Sequence, residues 1–488
     1  MKLKNLVLII AVIAYTYLFY DQSAGINFLL FNVLIIVCLG IISPNLLVQR
    51  SWQVLSLGAI VSASLLVWHH SQLALFANII SIILLMGISY SPSTSLYISF
   101  FHGLASLSFP FFAKLIKNLI DVVNPQKQEA KSNFYLKSAM IYLVPVAVTF
   151  IFFVLYANAS PVFADFFNFF QLNISVSKII FGFVGWIWLT GFFEPTGSDK
   201  LTAWDAQKSN ILTRIKAKVK QHIEILALKL EHKKGVVMLL MLNALLLCFN
   251  VIDLVFMFSK KGLPQDMTYS EYVHNGVNTL IFSILFAIVI ILYYFRGNQN
   301  FYKNNRWLLG LAYVWIVQNG LLLLGIIYKN QLYIAEFGLT YKRIGVYVYL
   351  LMTSLGLITT FWKVKELKTA WFLLRTNTNL TYIILIISCF VNWDKLIAQN
   401  QANRQQKADV MYLIEIGDSV LPELQSLLNN PKVNLDLCAN FGNYRYSDNP
   451  VSEREFIQDR IKIFKANYPR KDWQSWNYEE KRIFESLH

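Results

Sequence analysis

The run Val236-Val-Met-Leu-Leu-Met-Leu-Asn243-Ala-Leu-Leu-Leu-Cys248-Phe-Asn250-Val-Ile-Asp253-Leu-Val-Phe-Met-Phe258 carries a single charge, Asp253. A helix needs about 20 mostly apolar residues to cross ~30 Å of hydrocarbon, and this stretch has that length. No water is at hand at that depth, so the backbone must satisfy its own donors and acceptors, which a helix does within one segment. Val277 to Phe295 repeats the pattern with no charge at all. A β-barrel would show segments of alternating hydrophobicity, and these runs do not alternate.

Working outward, comparable runs lie near 5–20, 26–43, 53–68, 72–90, 138–157, 176–194, 307–327, 344–362 and 376–392. The fold class they imply is all-α, a polytopic transmembrane helix bundle of about eleven spans, with a small, mostly helical soluble domain at the C-terminus. Composition agrees: 56% of residues are hydrophobic and 15% charged, with a mean hydropathy of +0.47, whereas a soluble domain carries about 25% charge. The first run follows Lys2 and Lys4 as a signal peptide would. Its end, Tyr17-Leu-Phe-Tyr-Asp-Gln22, lacks the small-residue cleavage pattern, so it reads as the first span. Four regions follow: an N-terminal bundle over 1–200, a basic amphipathic segment over 201–234, a second bundle over 235–392 and the tail over 393–488. Cys38, Cys248, Cys389 and Cys438 have neither zinc spacing nor the look of a disulfide framework.

Lys and Arg in short loops set orientation. With the N-terminus in the cytosol, the inner segments hold 24 Lys/Arg and the outer loops six: Lys178, Lys260, Lys261, Lys329, Lys342 and Arg343. This asymmetry puts the N-terminus on the cytoplasmic side and the tail on the extracytoplasmic side; the membrane is expected to be a bacterial inner membrane. The segment 96–123 starts apolar, Leu96-Tyr-Ile-Ser-Phe-Phe101, then carries Pro110, Lys114 and Lys117. Counted as a twelfth span it would reverse every later loop, so it is expected as an interfacial or re-entrant helix on the inner face. The tail has 13 Lys/Arg and 14 Asp/Glu, a net of −1, so the membrane part carries +16 against an overall +15. Such charge faces anionic lipid and is no sign of nucleic-acid binding.

Asp205 to Lys234 reads as one amphipathic helix, with Leu212, Ile215, Val219, Ile223, Leu226 and Leu230 recurring at steps of three or four between basic residues. It could lie among anionic headgroups or dock a cytoplasmic protein; the plainer reading is a loop whose charge fixes topology. In the seventh span Asn243, Asn250 and Asp253 fall within about 80° on a helical wheel. Intramembrane charge is costly and points to function; hydrogen bonds between helices or a reach to the headgroups are the alternatives. In the next outer loop Glu271 and His274 sit at i, i+3 behind the candidate N-cap Thr268. They could act as an acid/base pair or half a metal site, or merely start a helix. The pair His69-His70 lies on a tight outer turn. No Walker loop, GxGxxG, HExxH or GxSxG pattern occurs, and no cofactor or metal is implied.

In the tail, Asp394 to Arg404 and Ala408 to Ile416 read as helices, with Gly417 as a C-cap. Ser419 reads as the next N-cap, and Ser452-x-x-Glu455 as a capping box. Trp473, Trp476 and Tyr478 could grip a glycan, or pack against the tail or the membrane interface.

Four stretches occur in order: Asn250-Val-Ile-Asp-Leu-Val-Phe-Met-Phe258, Thr268-Tyr-Ser-Glu-Tyr-Val-His-Asn-Gly276, Tyr333-Ile-Ala-Glu336-Phe-Gly-Leu-Thr340-Tyr-Lys-Arg343 and Asn392-Trp-Asp-Lys-Leu-Ile-Ala398. Over about 240–430 they resemble the bacterial multi-pass proteins catalogued as domain of unknown function 4173, and its relative 4153. The first 200 residues match that pattern only in hydrophobicity. The richness in Ile, Asn, Lys and Phe resembles a Bacteroidetes member. The resemblance implies a multi-spanning fold and no activity. Asn250, Asp253, Glu271, His274, Glu336 and Arg343 form the candidate polar cluster. The reading placed first is a non-catalytic membrane scaffold or envelope sensor, in contact with the bilayer, with anionic lipid at 205–234 and with an unnamed protein partner. A transporter with a polar site near Asp253 comes second, and a membrane enzyme acting on lipid or envelope precursors through Glu271 and His274 third.

Overall fold

A computed structural model describes residues 3–107, 109–113, 176–214, 221–258, 269–404, 409–431 and 451–488, with isolated positions at 149, 152, 156, 433, 435, 438 and 439. The apolar runs form helices. In chain order these are α1 (Leu3–Phe19), α2 (Ile26–Ile42), α3 (Arg50–His69), α4 (Gln72–Tyr90), α5 (Leu96–Ser106), α6 (Val176–Phe193), α7 (Asp199–Gln207), α8 (Gln221–Phe258), α9 (Tyr269–Tyr294), α10 (Arg306–Phe337), α11 (Tyr341–Lys365) and α12 (Ala370–Ser388). The tail adds α13 (Trp393–Ala402), α14 (Val410–Ile416), α15 (Leu421–Leu428), α16 (Glu453–Asn467) and α17 (Tyr478–Leu487). Two two-residue strands, Cys438–Ala439 and Val451–Ser452, pair antiparallel.

Six of these helices are long and apolar enough to cross a membrane, over 50–69, 72–90, 228–255, 306–337, 341–365 and 370–388. Four shorter apolar helices cover Leu3–Phe19, Ile26–Ile42, Ser177–Phe193 and Leu280–Tyr294. Together they coincide with ten of the eleven expected segments. The remaining one, 138–157, lies almost wholly outside the described residues.

The chain divides into two compact units, Met1–Asp205 with Lys471–Glu479, and Ala206–Arg470 with Glu480–His488. In the first unit a buried amide pair joins three helices. Asn32 Nδ2 donates to Asn78 Oδ1 at 3.2 Å, and Asn78 Nδ2 donates to Ala59 O at 2.9 Å and Ser62 Oγ at 3.1 Å. In hydrocarbon these donors have no competing water, so they tie α2, α3 and α4 together. The turn between α3 and α4 places His70 in the left-handed region as a C-cap, and Ser71 accepts from Ala74 N as the next N-cap.

The start of the 96–123 segment packs into this unit. Gly87 of α4 faces Ser99 of α5 and Gly103 of α5 faces Ile83 of α4, so the helices run antiparallel. A Cβ at Gly87 would fall 1.7 Å from Ser99 O, and one at Gly103 1.9 Å from Ile83 O. Ile98, Ser99, His102, Gly103 and Ser106 are buried. Residues 96–106 thus lie along α4; of the rest of the expected 96–123 segment, the part beyond 113 lies outside the described residues.

The expected single helix from Asp205 to Lys234 is divided, and its ends have separate partners. The buried Asp205 carboxylate accepts from Ser95 N at 2.8 Å and from Tyr97 Oη at 2.7 Å, holding the start of α5. Beyond Gln207 the chain is extended: Thr369 N donates to Asn210 O at 3.0 Å, and Leu212 N donates to Leu367 O at 2.8 Å. Arg375 donates to Lys208 O at 2.8 Å. These backbone groups are satisfied by another segment, so no helix is needed there. From Gln221 the chain is helical without a break into the span, as a 38-residue helix about 57 Å long at 1.5 Å per residue.

In the second unit, Leu239, Ile284, Ile291, Leu308, Trp315 and Ile326 anchor the core among α8 to α11. The tail helices form a second core with the turn between α10 and α11: Leu339 and Ile344 are buried with Ile397, Leu413, Leu421, Leu424, Ile457 and Ile483. The capping box at α16 is present, with Glu455 N donating to Ser452 Oγ at 3.3 Å and Ser452 N to Glu455 Oε2 at 3.4 Å. Gly417 ends α14 at φ +146°. Ser419 is not an N-cap; a 3-10 turn over Asp418–Val420 precedes α15, and Ser419 Oγ donates to Asp394 Oδ2 at 2.7 Å.

Gly103→Leu forces side-chain atoms into the backbone of α4, an overpacking that costs about 1–3 kcal/mol or more. Its thermal midpoint in detergent falls, while Leu104→Ala on the exposed side of α5 leaves it near wild type. Equal midpoints for the two variants would contradict the α4–α5 packing.

Candidate functional site

The polar face of α8 meets α10, and the two helices run parallel. Asn243 Nδ2 donates to Leu239 O in its own helix at 2.7 Å and to Leu311 O at 3.0 Å. Gln318 Nε2 donates to Asn243 Oδ1 at 2.8 Å. One level on, Asn250 Nδ2 donates to Gln318 O at 3.1 Å. At the far level Lys329 Nζ donates to Asp253 Oδ1 at 2.6 Å, and both side chains are largely buried, 6% and 17% exposed. The ten residues from 243 to 253 rise about 15 Å, so the contacts act as a ladder along the helix pair.

The ladder answers how a carboxylate can sit beside hydrocarbon. An isolated charge would carry a large desolvation cost; an opposite charge in direct hydrogen-bond contact offsets much of it. Lys329, expected in an outer loop, belongs to α10, which runs ten residues past the expected span end. Leu311, Gln318 and Lys329 are spaced by 7 and 11, both whole-turn spacings, so one face of α10 carries the partners of the α8 stripe. A cavity of about 460 Å³, lined by Ile316, Leu323, Ile327, Leu350, Leu357 and Phe361, opens between α10 and α11. On a helical wheel Ile316, Leu323 and Ile327 lie on the side of α10 away from Gln318. This cavity is apolar, and the α8 stripe does not line it.

A family model described as "Domain of unknown function (DUF4153)" matches residues 7–427. The chain belongs to the DUF4153 family. This is the 4153 relative of the resemblance, and the match takes in the N-terminal helices that resembled the pattern only in hydrophobicity. No curated protein and no solved structure matches. The DUF4153 match ends at Leu427, inside α15, so the family unit includes the first tail helices that share a core with the α10–α11 turn.

Of the remaining expected site residues, Glu336 and Arg343 lie at the α10–α11 turn. Arg343 closes the α10–α11 turn of this DUF4153 chain: its Nη1 donates to Phe337 O at 2.9 Å and also to Gly338 O, and its guanidinium lies 4.2 Å from the Tyr333 ring centroid. Asn330 Nδ2 donates to Arg343 O at 3.2 Å. A cation set on the last carbonyls of a helix is favoured by the helix dipole. Arg404 of the tail helix end donates to Glu336 O on the same turn, and the Glu336 side chain is exposed. Glu271 and His274 fall on the α9 backbone, but their side chains are outside the described residues, as is Thr268.

Removing one partner of a buried pair leaves the other charge stranded, at about 3–5 kcal/mol, while replacing both by hydrocarbon is often neutral. Asp253→Leu and Lys329→Leu each lower the detergent melting temperature, and the double variant recovers most of the loss. A double variant as unstable as the worse single would contradict a structural ion pair.

Proposed function

We propose that this DUF4153 protein is a non-catalytic membrane scaffold or envelope sensor of a bacterial inner membrane, with its N-terminus in the cytosol and its tail outside. The observation that carries the reading is the shared core of the tail helices and the α10–α11 turn, around Leu339, Ile344, Ile397 and Leu421. A tail packed in this way cannot shift without moving the ends of two membrane helices, which is the mechanical link a sensor requires. The α8 stripe supports the same reading, because its polar groups are engaged in holding α8 to α10. The orientation rests on the Lys/Arg asymmetry. Transfer of Lys329 from the outer loops into α10 leaves five basic residues on that side and sharpens the asymmetry. On the inner side, the Lys and Arg residues of 205–234 would hold anionic lipid headgroups, each at about 1 kcal/mol.

Complementation in a strain lacking the gene tests this. Leu339→Ala creates a cavity in the shared core at a cost of about 2–5 kcal/mol, and it fails to restore the wild-type response to envelope stress while its membrane level is unchanged. The Asp253→Leu, Lys329→Leu double variant restores it. The reverse result, with Leu339→Ala active and the stably inserted double variant inactive, would favour transport through the polar stripe.

A further inference from the structure

The segment 471–479 leaves the tail helices and belongs to the first unit, where it is fixed by backbone and side-chain hydrogen bonds. Ile26 N donates to Trp476 O at 2.9 Å, Ser23 N donates to Ser475 Oγ at 2.9 Å, Ser475 Oγ donates to Gln22 Oε1 at 2.7 Å, and Gln22 Nε2 donates to Asp472 Oδ2 at 2.9 Å. The backbones touch closely enough that a Cβ on Gly25 would lie 2.5 Å from Ser475 C. The segment therefore lies on the ends of α1 and α2, with Gln474 and Ser475 buried beneath it.

Its aromatic rings face outward. Trp473 is 51% exposed, and Trp476 and Tyr478 are each 38% exposed. They continue a set of exposed rings already present at the helix ends: Trp473 lies 6.3 Å from Tyr17 of α1, and Tyr478 stacks on Trp68 of α3 at 4.6 Å. Tyr17 and Trp68 are 57% and 55% exposed, each within the last turn of an apolar helix. Among the described residues neither Trp473 Nε1 nor Trp476 Nε1 has an acceptor. From Trp473 to Tyr478 the sequence Trp-Gln-Ser-Trp-Asn-Tyr has no charge. Exposed amphipathic rings at the ends of apolar helices are what the membrane–water interface selects, the ring in the upper acyl region and the N–H or O–H among headgroup oxygens.

We propose that Trp473, Trp476 and Tyr478 insert into the headgroup layer of the leaflet on the tail's side, making residues 471–479 a lipid-contacting clip that extends the aromatic belt of α1 and α3. The partner is the bilayer itself. The clip lies beyond the family match, which ends at residue 427, and the proposal does not depend on the sensor reading.

The test is fluorescence of the full chain in phosphatidylcholine vesicles, with and without lipid brominated high on the acyl chains. The wild type has 12 tryptophans, so the signal of interest is its difference from the Trp473→Phe, Trp476→Phe variant; Phe keeps an aromatic ring, and an unchanged melting temperature shows that the fold is intact. The brominated lipid should remove most of the difference emission, and aqueous iodide should remove little. A single Trp476→Phe variant gives the same comparison if the double variant folds poorly. Difference emission quenched by iodide but not by brominated lipid would overturn the proposal in favour of a solvent-facing surface. Emission shielded from both would overturn it in favour of a protein contact.

Discussion

Hydrocarbon offers no hydrogen bonds, so a polar group inside it must find a protein partner. That constraint shapes both units. In the first, Asn32 and Asn78 pair across α2 and α4 while Asn78 also reaches α3. In the second, Asn243, Asn250 and Asp253 of α8 find Leu311, Gln318 and Lys329 of α10. Apolar side chains are as content against lipid as against each other, so they supply contact without selecting a neighbour. The polar ladder supplies the selection: it sets which helix lies beside α8, and at which height, because a slip of one turn would leave several buried groups without partners.

The same logic continues at the end of α10. Arg343 and Arg404 both donate to carbonyls of its final turn, which would otherwise lie exposed at a helix end. Gln401 Nε2 adds a bond to Leu339 O at 3.1 Å. The turn is thereby built from three parts of the chain, α10, α11 and α13, and its apolar residues enter the core of the tail. The family match stops soon after these contacts are complete, at residue 427. The match thus takes in the α10–α11 hairpin and the first tail helices, and 471–479 lies beyond it.

The parts of this arrangement that were legible in the sequence are those written locally. Apolar runs of hydrocarbon length located the helices, because length and composition are properties of one segment. The capping box at Ser452 and the terminating Gly417 were readable for the same reason. The stripe on α8 was readable as a stripe, since spacing fixes a face. Its partner was not, because no rule of one segment says that Gln318 and Lys329 stand opposite. Lys329 reads as a loop residue from local hydropathy alone, whereas pairing with Asp253 lets α10 continue past it. The break at Gln207 was hidden in the same way: the pairing of 210–212 with 367–369 is a long-range contact, and the amphipathic period of 205–234 gives no sign of it. Arg343 acts through its guanidinium and Glu336 through its backbone carbonyl at the end of α10, in contacts between segments that local spacing does not announce.

The account stands on the α8–α10 face being dry and closed. With the four native cysteines replaced by serine, Asn250→Cys in sealed vesicles can be challenged with a membrane-impermeant thiol reagent from each side in turn. The account predicts no labelling from either side, with full labelling after denaturation. Rapid labelling of the folded protein from one side would contradict it, because water would then reach the ladder and the polar stripe would line a path.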